Sequence, residues 1–243
     1  STGTLTSVTG TLDDGTGNDT IALTLTTTGV DISGANTTDV SSVALASNVS
    51  ATMTIAQHAL ITSAASANTV TLSDAGTVTG NAAVESYVLA AGSQSFTLGA
   101  SGQNVTLDST GSSGSVAIST GTLTSVTGTL DDGTGNDTIA LTLATTGVDI
   151  SSANTTDVDS IALASGVSAT MTTAQNALIT SAAGTNTVTL SNAGTVSGNA
   201  AVESYNLAAG AQSFTLGASG QNVTLDSTGS SGSVAISTGT LTS

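Results

Sequence analysis

Apolar and small polar residues alternate along this chain in short bursts. Tyr87-Val88-Leu89, Phe96-Thr97-Leu98 and Val105-Thr106-Leu107 follow one another at nine-residue intervals. Between them stand Gly, Ser, Ala, Asn and Gln. Alternation over three to five residues is a strand signal, because neighbouring side chains on a strand point to opposite faces. The Gly-rich punctuation is a turn signal. Short strands at one spacing predict a chain that winds, each coil stacking on the last. The expected fold is therefore all-β, a parallel β-solenoid.

The same beat runs through the preceding residues. Leu12 is followed by Ile21-Ala22-Leu23-Thr24-Leu25 and Val30-Asp31-Ile32 at intervals of nine. Val43-Ala44-Leu45 and Met53 come at looser intervals of thirteen and ten, and Val70-Thr71-Leu72 and Val78 lead back to Tyr87. Two strands per coil would take about eighteen residues, so at ~4.8 Å per stacked strand a 118-residue stretch would rise roughly 30 Å. A three-sided coil is the alternative that the spacing leaves open. Residues 51–65 (ATMTIAQHALITSAA) break the beat. Ala, Met, Gln and Leu form helices readily, which predicts a short helix or a bulged coil there.

A duplication organises the whole chain. Residues 1–118 return as 119–236 without insertion or deletion, and thirteen positions differ, leaving 105 identical. Residues 237–243 (STGTLTS) begin a third copy. With no Met or signal sequence at Ser1, the chain reads as a piece of a longer array. The duplication allows two separate domains or one continuous solenoid. No distinct linker marks residue 119, and the triplets cross it from Val116-Ala117-Ile118 into Leu123, which favours continuity.

The two copies also test which positions face inward. The middle of a triplet should face out and its flanks in. Middle residue Val88 becomes Asn206, as an outward site allows, and flanking Val43 becomes Ile161, a core-like exchange. Ile55 becoming Thr173 does not fit, but it lies in the irregular segment. Thr24, Thr71, Thr97 and Thr106 should then stand in outward rows.

Composition narrows the class. Only 7% of the residues are charged, yet no apolar run approaches the 18 or so needed to span a bilayer. Disorder is opposed by the regular supply of Val, Ile and Leu. The chain has no Lys, Arg, Pro or Cys and a net charge of -16. Its carboxylates must therefore be solvated, capped by backbone N–H groups or paired with a bound cation. Nucleic acid is disfavoured as a partner because nothing here neutralises phosphate, and an anionic membrane surface for the same reason. Without Lys or Arg there is no trypsin site either.

The most specific chemical motif is Asp13-Asp14-Gly15-Thr16-Gly17-Asn18-Asp19-Thr20-Ile21, repeated at residues 131–139. It resembles the nonapeptide of RTX-type calcium-binding β-rolls, Gly-Gly-x-Gly-x-Asp-x-apolar-x. Gly15, Gly17, Asp19 and Ile21 match that pattern, with Asp14 in place of the first Gly. The resemblance implies calcium ligands at Asp14, Gly15, Gly17 and Asp19 and at Asp132, Gly133, Gly135 and Asp137. Such turns direct carbonyls and a carboxylate toward one hard cation. In that family the turns follow in tandem, whereas one per 118 residues matches here, and residues 108–114 (DSTGSSG) are at best a degenerate relative. The other reading is a turn capped by its own Asp side chains.

The wider Thr/Gly-rich rhythm resembles repeat regions of secreted bacterial giant adhesins and S-layer proteins. That resemblance implies an extracellular or cell-surface stalk, fibre or coat, whose partners are copies of itself end to end or laterally, with no nucleic acid and no membrane insertion. Open coil ends, as unpaired sheet edges, should be adhesive.

Catalysis finds little support. His58 is the only His and copy two has Asn176 there, so it is expected at the surface or in a turn. No Lys or second His is present to activate a Ser nucleophile. Asp13 and Asp14, adjacent on a strand, would point apart, and Glu85 and Glu203 lack a spaced carboxylate partner. Zinc is disfavoured without Cys or paired His. A non-enzyme is the expectation, with an ice- or polysaccharide-binding surface of Thr rows as the alternative to a structural role. Asn18, Asn36, Asn48 and Asn104 open N-x-Ser/Thr sequons that arise easily in so Thr-rich a chain.

Overall fold

A computed structural model describes residues 1–16, 19–107, 114–134, 137–225 and 232–240. The expected winding is observed: the described residues are short parallel strands joined by turns, with two four-residue helices. The chain divides into two compact units. One comprises Ser1–Val116 with Thr129–Thr138, the other Ala117–Gly128 with Ile139–Ser243.

In the first unit, Val30–Asp31, Ser50–Met53, Thr69–Leu72, Ser86–Leu89, Asn104–Leu107 and Leu130–Asp131 stack in that order as one parallel ladder. A second face carries the ladder Ile21–Leu25, Val40–Leu45, Ile61–Ala64 and the pair Thr77–Thr79 with Gln94–Thr97. Each coil thus contributes two strands, one per face, rather than three. Along the first ladder, Val30, Ala51, Val70, Tyr87, Val105 and Leu130 form a single inward column, each 2% exposed or less. Successive members are 21, 19, 17, 18 and 25 residues apart, so coil length varies around the expected eighteen. Variable turns absorb the difference while the strand register is kept.

Between these inward columns the outward triplet centres alternate as the pleat requires. Thr24, Thr71, Thr97, Thr106 and Val88 are half-exposed, and so is Asn206 of copy two. Val43 and Ile161 are fully buried. Tyr87 packs on Phe96 with ring centroids 4.9 Å apart, and Tyr205 on Phe214 repeats that distance in the second unit. These are the bulkiest side chains of a core otherwise made of Val, Leu, Ile, Ala and Met. The second unit has the ladder Val148–Asp149, Ser168–Met171, Thr187–Leu190, Ser204–Leu207, Asn222–Leu225, with Ser160–Leu163 flanked by Ile179–Ala182 on its other face.

The segment that broke the beat resolves into three parts. Ser50–Met53 is a regular strand, Ile55–His58 a helix, and Ile61–Ala64 a strand again. So short a helix does not persist alone. A capping box holds this one: Thr54 Oγ1 accepts the Gln57 N–H at 3.2 Å, and Gln57 Oε1 accepts the Thr54 N–H at 2.9 Å. The Gln57 amide also donates to Ile32 O at 2.7 Å and Ala35 O at 3.0 Å, tying the helix to the preceding coil. Thr172 and Gln175 repeat the arrangement in copy two.

Candidate metal centre

The Asp-Asp-Gly turn folds as its composition dictates. Asp13 Oδ1 accepts the Gly15 N–H at 2.7 Å, closing a turn on its own side chain, and Gly15 takes φ +78°, a left-handed conformation that a Cβ would strain. Asp131 and Gly133 repeat it at 2.8 Å and φ +76°. The reading of a self-capped turn is therefore correct as far as it goes.

A second turn brings a further carboxylate to the first. Thr11 bridges Asn36 on the next coil, and Leu12 N donates to Asn36 O at 3.1 Å. Asn36 Oδ1 accepts from Thr38 N at 3.1 Å and Thr38 Oγ1 at 2.6 Å, which tightens the chain just before Asp39. Asp13, Asp14 and Asp39 each offer a carboxylate oxygen, and these oxygens lie within 4.8 Å of one another. Like charges so close repel by between about 1 kcal/mol in a water-like medium and about 3 kcal/mol at a near-surface dielectric, per pair. No Lys or Arg exists to relieve them. A hard cation with oxygen ligands fits this donor set, so the group can hold a metal ion.

The predicted residues are only partly brought together. Asp14 belongs to the acidic group and Gly15 shapes its turn. Asp19 is exposed and stands outside the group. In copy two Asp132 lies in the matching group with Asp131 and Asp157, whose carboxylate oxygens are within 4.8 Å of one another, and Gly133 shapes that turn. Asp137 is buried, and its Oδ1 accepts the Gly114 N–H, a capping role. Gly17, Gly135, Asn18 and residues 108–113 lie outside the described residues. Sequence reasoning missed Asp39 and its counterpart Asp157: each is 25 residues from the Asp it joins, Asp14 or Asp132, and only the stacking of coils makes them neighbours.

His58 requires a correction. It is 6% exposed, not a surface residue, and its Nε2 lies 2.9 Å from the Tyr87 hydroxyl. That hydroxyl accepts the Asn81 N–H at 2.7 Å, so Tyr87 ties His58 and Asn81 together inside the core. Copy two keeps a bond at this place, Tyr205 Oη donating to Asn176 Oδ1 at 3.2 Å. His58 is thus an interior hydrogen-bond partner of Tyr87. Burial lowers its pKa from 6.5, and burial raises that of the Tyr87 phenol. Tyr205 is pushed up to about 12 by the same cause.

A folded pKa below the unfolded one means that the unfolded chain binds the proton more readily. Stability from His58 is full above about pH 6.5 and is lost as pH falls below it. The Asn81 amide, which reports this bond, should therefore lose hydrogen-exchange protection between pH 7 and pH 5 relative to the matching Asn199 amide. His58→Asn should abolish the difference; an equal pH response at both amides would contradict it.

Three further side chains act as staples that the sequence reading passed over. Gln103 Nε2 donates to Asn81 O at 2.7 Å and Val84 O at 2.9 Å, while its Oε1 accepts the Gly99 N–H at 2.8 Å. Buried Asn68 Oδ1 accepts the Val49 N–H at 2.9 Å. Glu85, which the sequence left without a partner, accepts the Asn68 N–H at 2.9 Å. The available signal was the rarity of long amides: the chain has six Gln, three per copy, amid abundant Ser and Thr.

The outward side chains of the first ladder form two hydroxyl-rich ranks. Ser50, Thr69, Ser86 and Asn104 make one, and Thr52, Thr71, Val88 and Thr106 the other. Fold and site together define a β-solenoid repeat protein with an acidic turn suited to a metal ion. Comparison with protein-family models, curated proteins and solved structures finds no match.

Proposed function

We propose that this chain is a non-catalytic structural repeat segment of an extracellular fibre, stalk or surface-layer protein, with calcium at the Asp13, Asp14 and Asp39 turn. The observation that supports it most is the inward column shared by all six strands of the first ladder, a stacking rule that adds coils without a new design. A backbone ladder along the stacking direction resists stretching because load is shared among parallel hydrogen bonds. The absence of Lys and Arg favours persistence where trypsin-like proteases act. The sole His is buried against Tyr87, which removes the one obvious base from solvent. Electron microscopy of the protein in its source is the test: long thin filaments or a layer are expected, and a dispersed monomer would count against the reading.

Calcium at millimolar levels suits a site of few carboxylates on a surface turn, in the manner of extracellular modules with Kd near 10⁻⁴–10⁻³ M. At 10 mM Ca²⁺ such a site stabilises by about 1.4–2.7 kcal/mol. The triple variant Asp13→Asn, Asp14→Asn, Asp39→Asn should lose one equivalent of calcorimetrically detected Ca²⁺ and that part of the thermal shift. Unchanged binding by the variant would remove the assignment.

The two hydroxyl ranks favour a second reading, a surface that lies on ice or a polysaccharide. Val88 and Asn104 interrupt the hydroxyls, which weighs toward the structural role. Thermal hysteresis in a solution of the monomer would reverse that preference.

A further inference from the structure

We infer that Asn36 and its counterpart Asn154 are acceptor sites for an N-linked sugar, one at the same turn of each copy. This is a covalent modification, separate from the structural role: a filament bare of sugar would keep the role and lose these sites.

Three sequons of copy one fall among the described residues, opened by Asn36, Asn48 and Asn104, and one of them has a geometry suited to transfer. An Asn amide is a poor nucleophile because its nitrogen lone pair is delocalised toward Oδ1. As Nδ2 attacks and gives up a proton, negative charge gathers on Oδ1, so donors already aimed at that oxygen favour the step. Asn36 Oδ1 accepts from Thr38 N at 3.1 Å and from Thr38 Oγ1 at 2.6 Å. Asn154 Oδ1 accepts from Thr156 N at 3.2 Å and from Thr156 Oγ1 at 2.7 Å. Both Asn and both Thr are exposed. With Oδ1 held toward the chain, Nδ2 is the end of each amide left to solvent. The turn is anchored from behind, Asn36 N donating to Gly10 O and Asn154 N to Gly128 O, each at 3.1 Å.

The other two sequons are engaged differently. Asn104 opens the paired strand Asn104–Leu107, where its Oδ1 accepts the Thr129 N–H at 2.9 Å and its Nδ2 lies 3.5 Å from Ser86 Oγ. Thr106 is two strand positions on, roughly 6.6 Å along the chain and beyond hydrogen-bond reach. After Asn48, Ser50 Oγ accepts the Gly29 N–H at 3.0 Å and lies 3.2 Å from Thr28 Oγ1.

The donor is a glycosyl diphosphate presented by a transferase. A bond from Nδ2 to the anomeric carbon forms as that carbon's bond to the phosphate oxygen breaks. The diphosphate leaves with the electron pair, and one amide proton passes to a base of the transferase. Oδ1 keeps both its donors in the product, so the turn that sets Asp39 beside Asp13 and Asp14 survives the modification.

Mass spectrometry of the protein isolated from its source tests this. Cleavage before Asp gives residues 31–38 (DISGANTT) and 149–156 (DISSANTT), whose sequences differ and so report each site separately. Both should carry saccharide mass, placed on Asn rather than Thr by fragmentation, while residues 39–73 and 74–107, with Asn48 and Asn104, should be bare. Thr38→Ser should keep the sugar on Asn36 because the hydroxyl remains. Thr38→Val should remove it there while Asn154 keeps its own. Bare 31–38 and 149–156 peptides, or sugar on a Thr hydroxyl in them, overturn the assignment. Equal occupancy at Asn104 overturns the selection by turn geometry.

Discussion

Gly99→Ala should be among the most damaging single-methyl additions in the chain, at a cost of about 3 kcal/mol or more. A Cβ on Gly99 would sit 1.9 Å from the carbonyl oxygen of Gly80, 2.7 Å from its carbon and 3.3 Å from Ala82 N. All three are backbone atoms of the neighbouring coil, so no side-chain rotation relieves them. Either the coils separate, breaking the Gly80 N to Thr97 O bond of 2.8 Å, or the turn after Phe96 shifts as a whole. Gly217 faces Gly198 in the same way, with the same 1.9 Å approach. Urea denaturation should show the loss in either variant, and hydrogen exchange should place it in the coils around the substitution, since a stacked array opens between neighbours. A Gly99→Ala protein within about 0.5 kcal/mol of wild type, as ordinary surface changes are, would mean that the two coils are not in this contact.

Gln103→Leu should come next. The substitution keeps the bulk roughly but strands the Gly99 N–H and the Val84 carbonyl at the edge of the core, and leaves the Asn81 carbonyl with the Val84 N–H alone, at 3.0 Å. Each buried backbone group left without a partner costs about 1–3 kcal/mol, so about 3 kcal/mol in total is a conservative expectation. Gln103→Glu separates the two halves of the staple. Its carboxylate still accepts from Gly99 N but donates nothing, so the Gly99 amide should stay protected in the Glu variant and exchange rapidly in the Leu variant. Equal exchange in both would show that Gln103 Oε1 is not the acceptor of the Gly99 N–H. Gly99→Ala and Gln103→Leu share the Gly99 N–H, so the double variant should cost less than the sum of the two singles.

Fold class was legible because a strand records its two faces locally. The pleat makes every second side chain inward, and a coil too narrow for more than one layer of side chains leaves that alternation undiluted. Tyr87, Phe96 and Val105 therefore announce their burial without reference to any other part of the chain. The short helix was legible only as a bias, since Ala, Met, Gln and Leu within residues 51–65 favour helix or a bulged coil, while the Thr54 and Gln57 cap that fixes it went unread. Its neighbour Ser50–Met53 was misread because Ala51 and Met53 are weak strand signals when no partner is in view, and the ladder with Thr69–Leu72 supplies what the local residues lack.

His58 shows the limit from the other side. Its replacement by Asn176 looked like drift at an exposed position, yet both residues hydrogen-bond a buried tyrosine hydroxyl from 29 residues away. The acidic turn is divided in the same manner. Asp13 and Gly15 close their turn within three residues, and composition alone foretold that. Asp39 joins them only because one coil lies on the next.

By itself, the sequence determined what is local in this protein: which residues turn, which point inward, and that one 118-residue pattern is used twice. Tertiary structure decided what depends on stacking: the Gln and Asn staples, the two coil faces, the trio of carboxylates and the glycine that must stay bare beneath a carbonyl. The physical reason is range. Side-chain direction and turn closure act over a few residues, whereas contacts between coils join residues 17 to 25 apart by turns of variable length, and no fixed spacing in the chain encodes which atoms then meet.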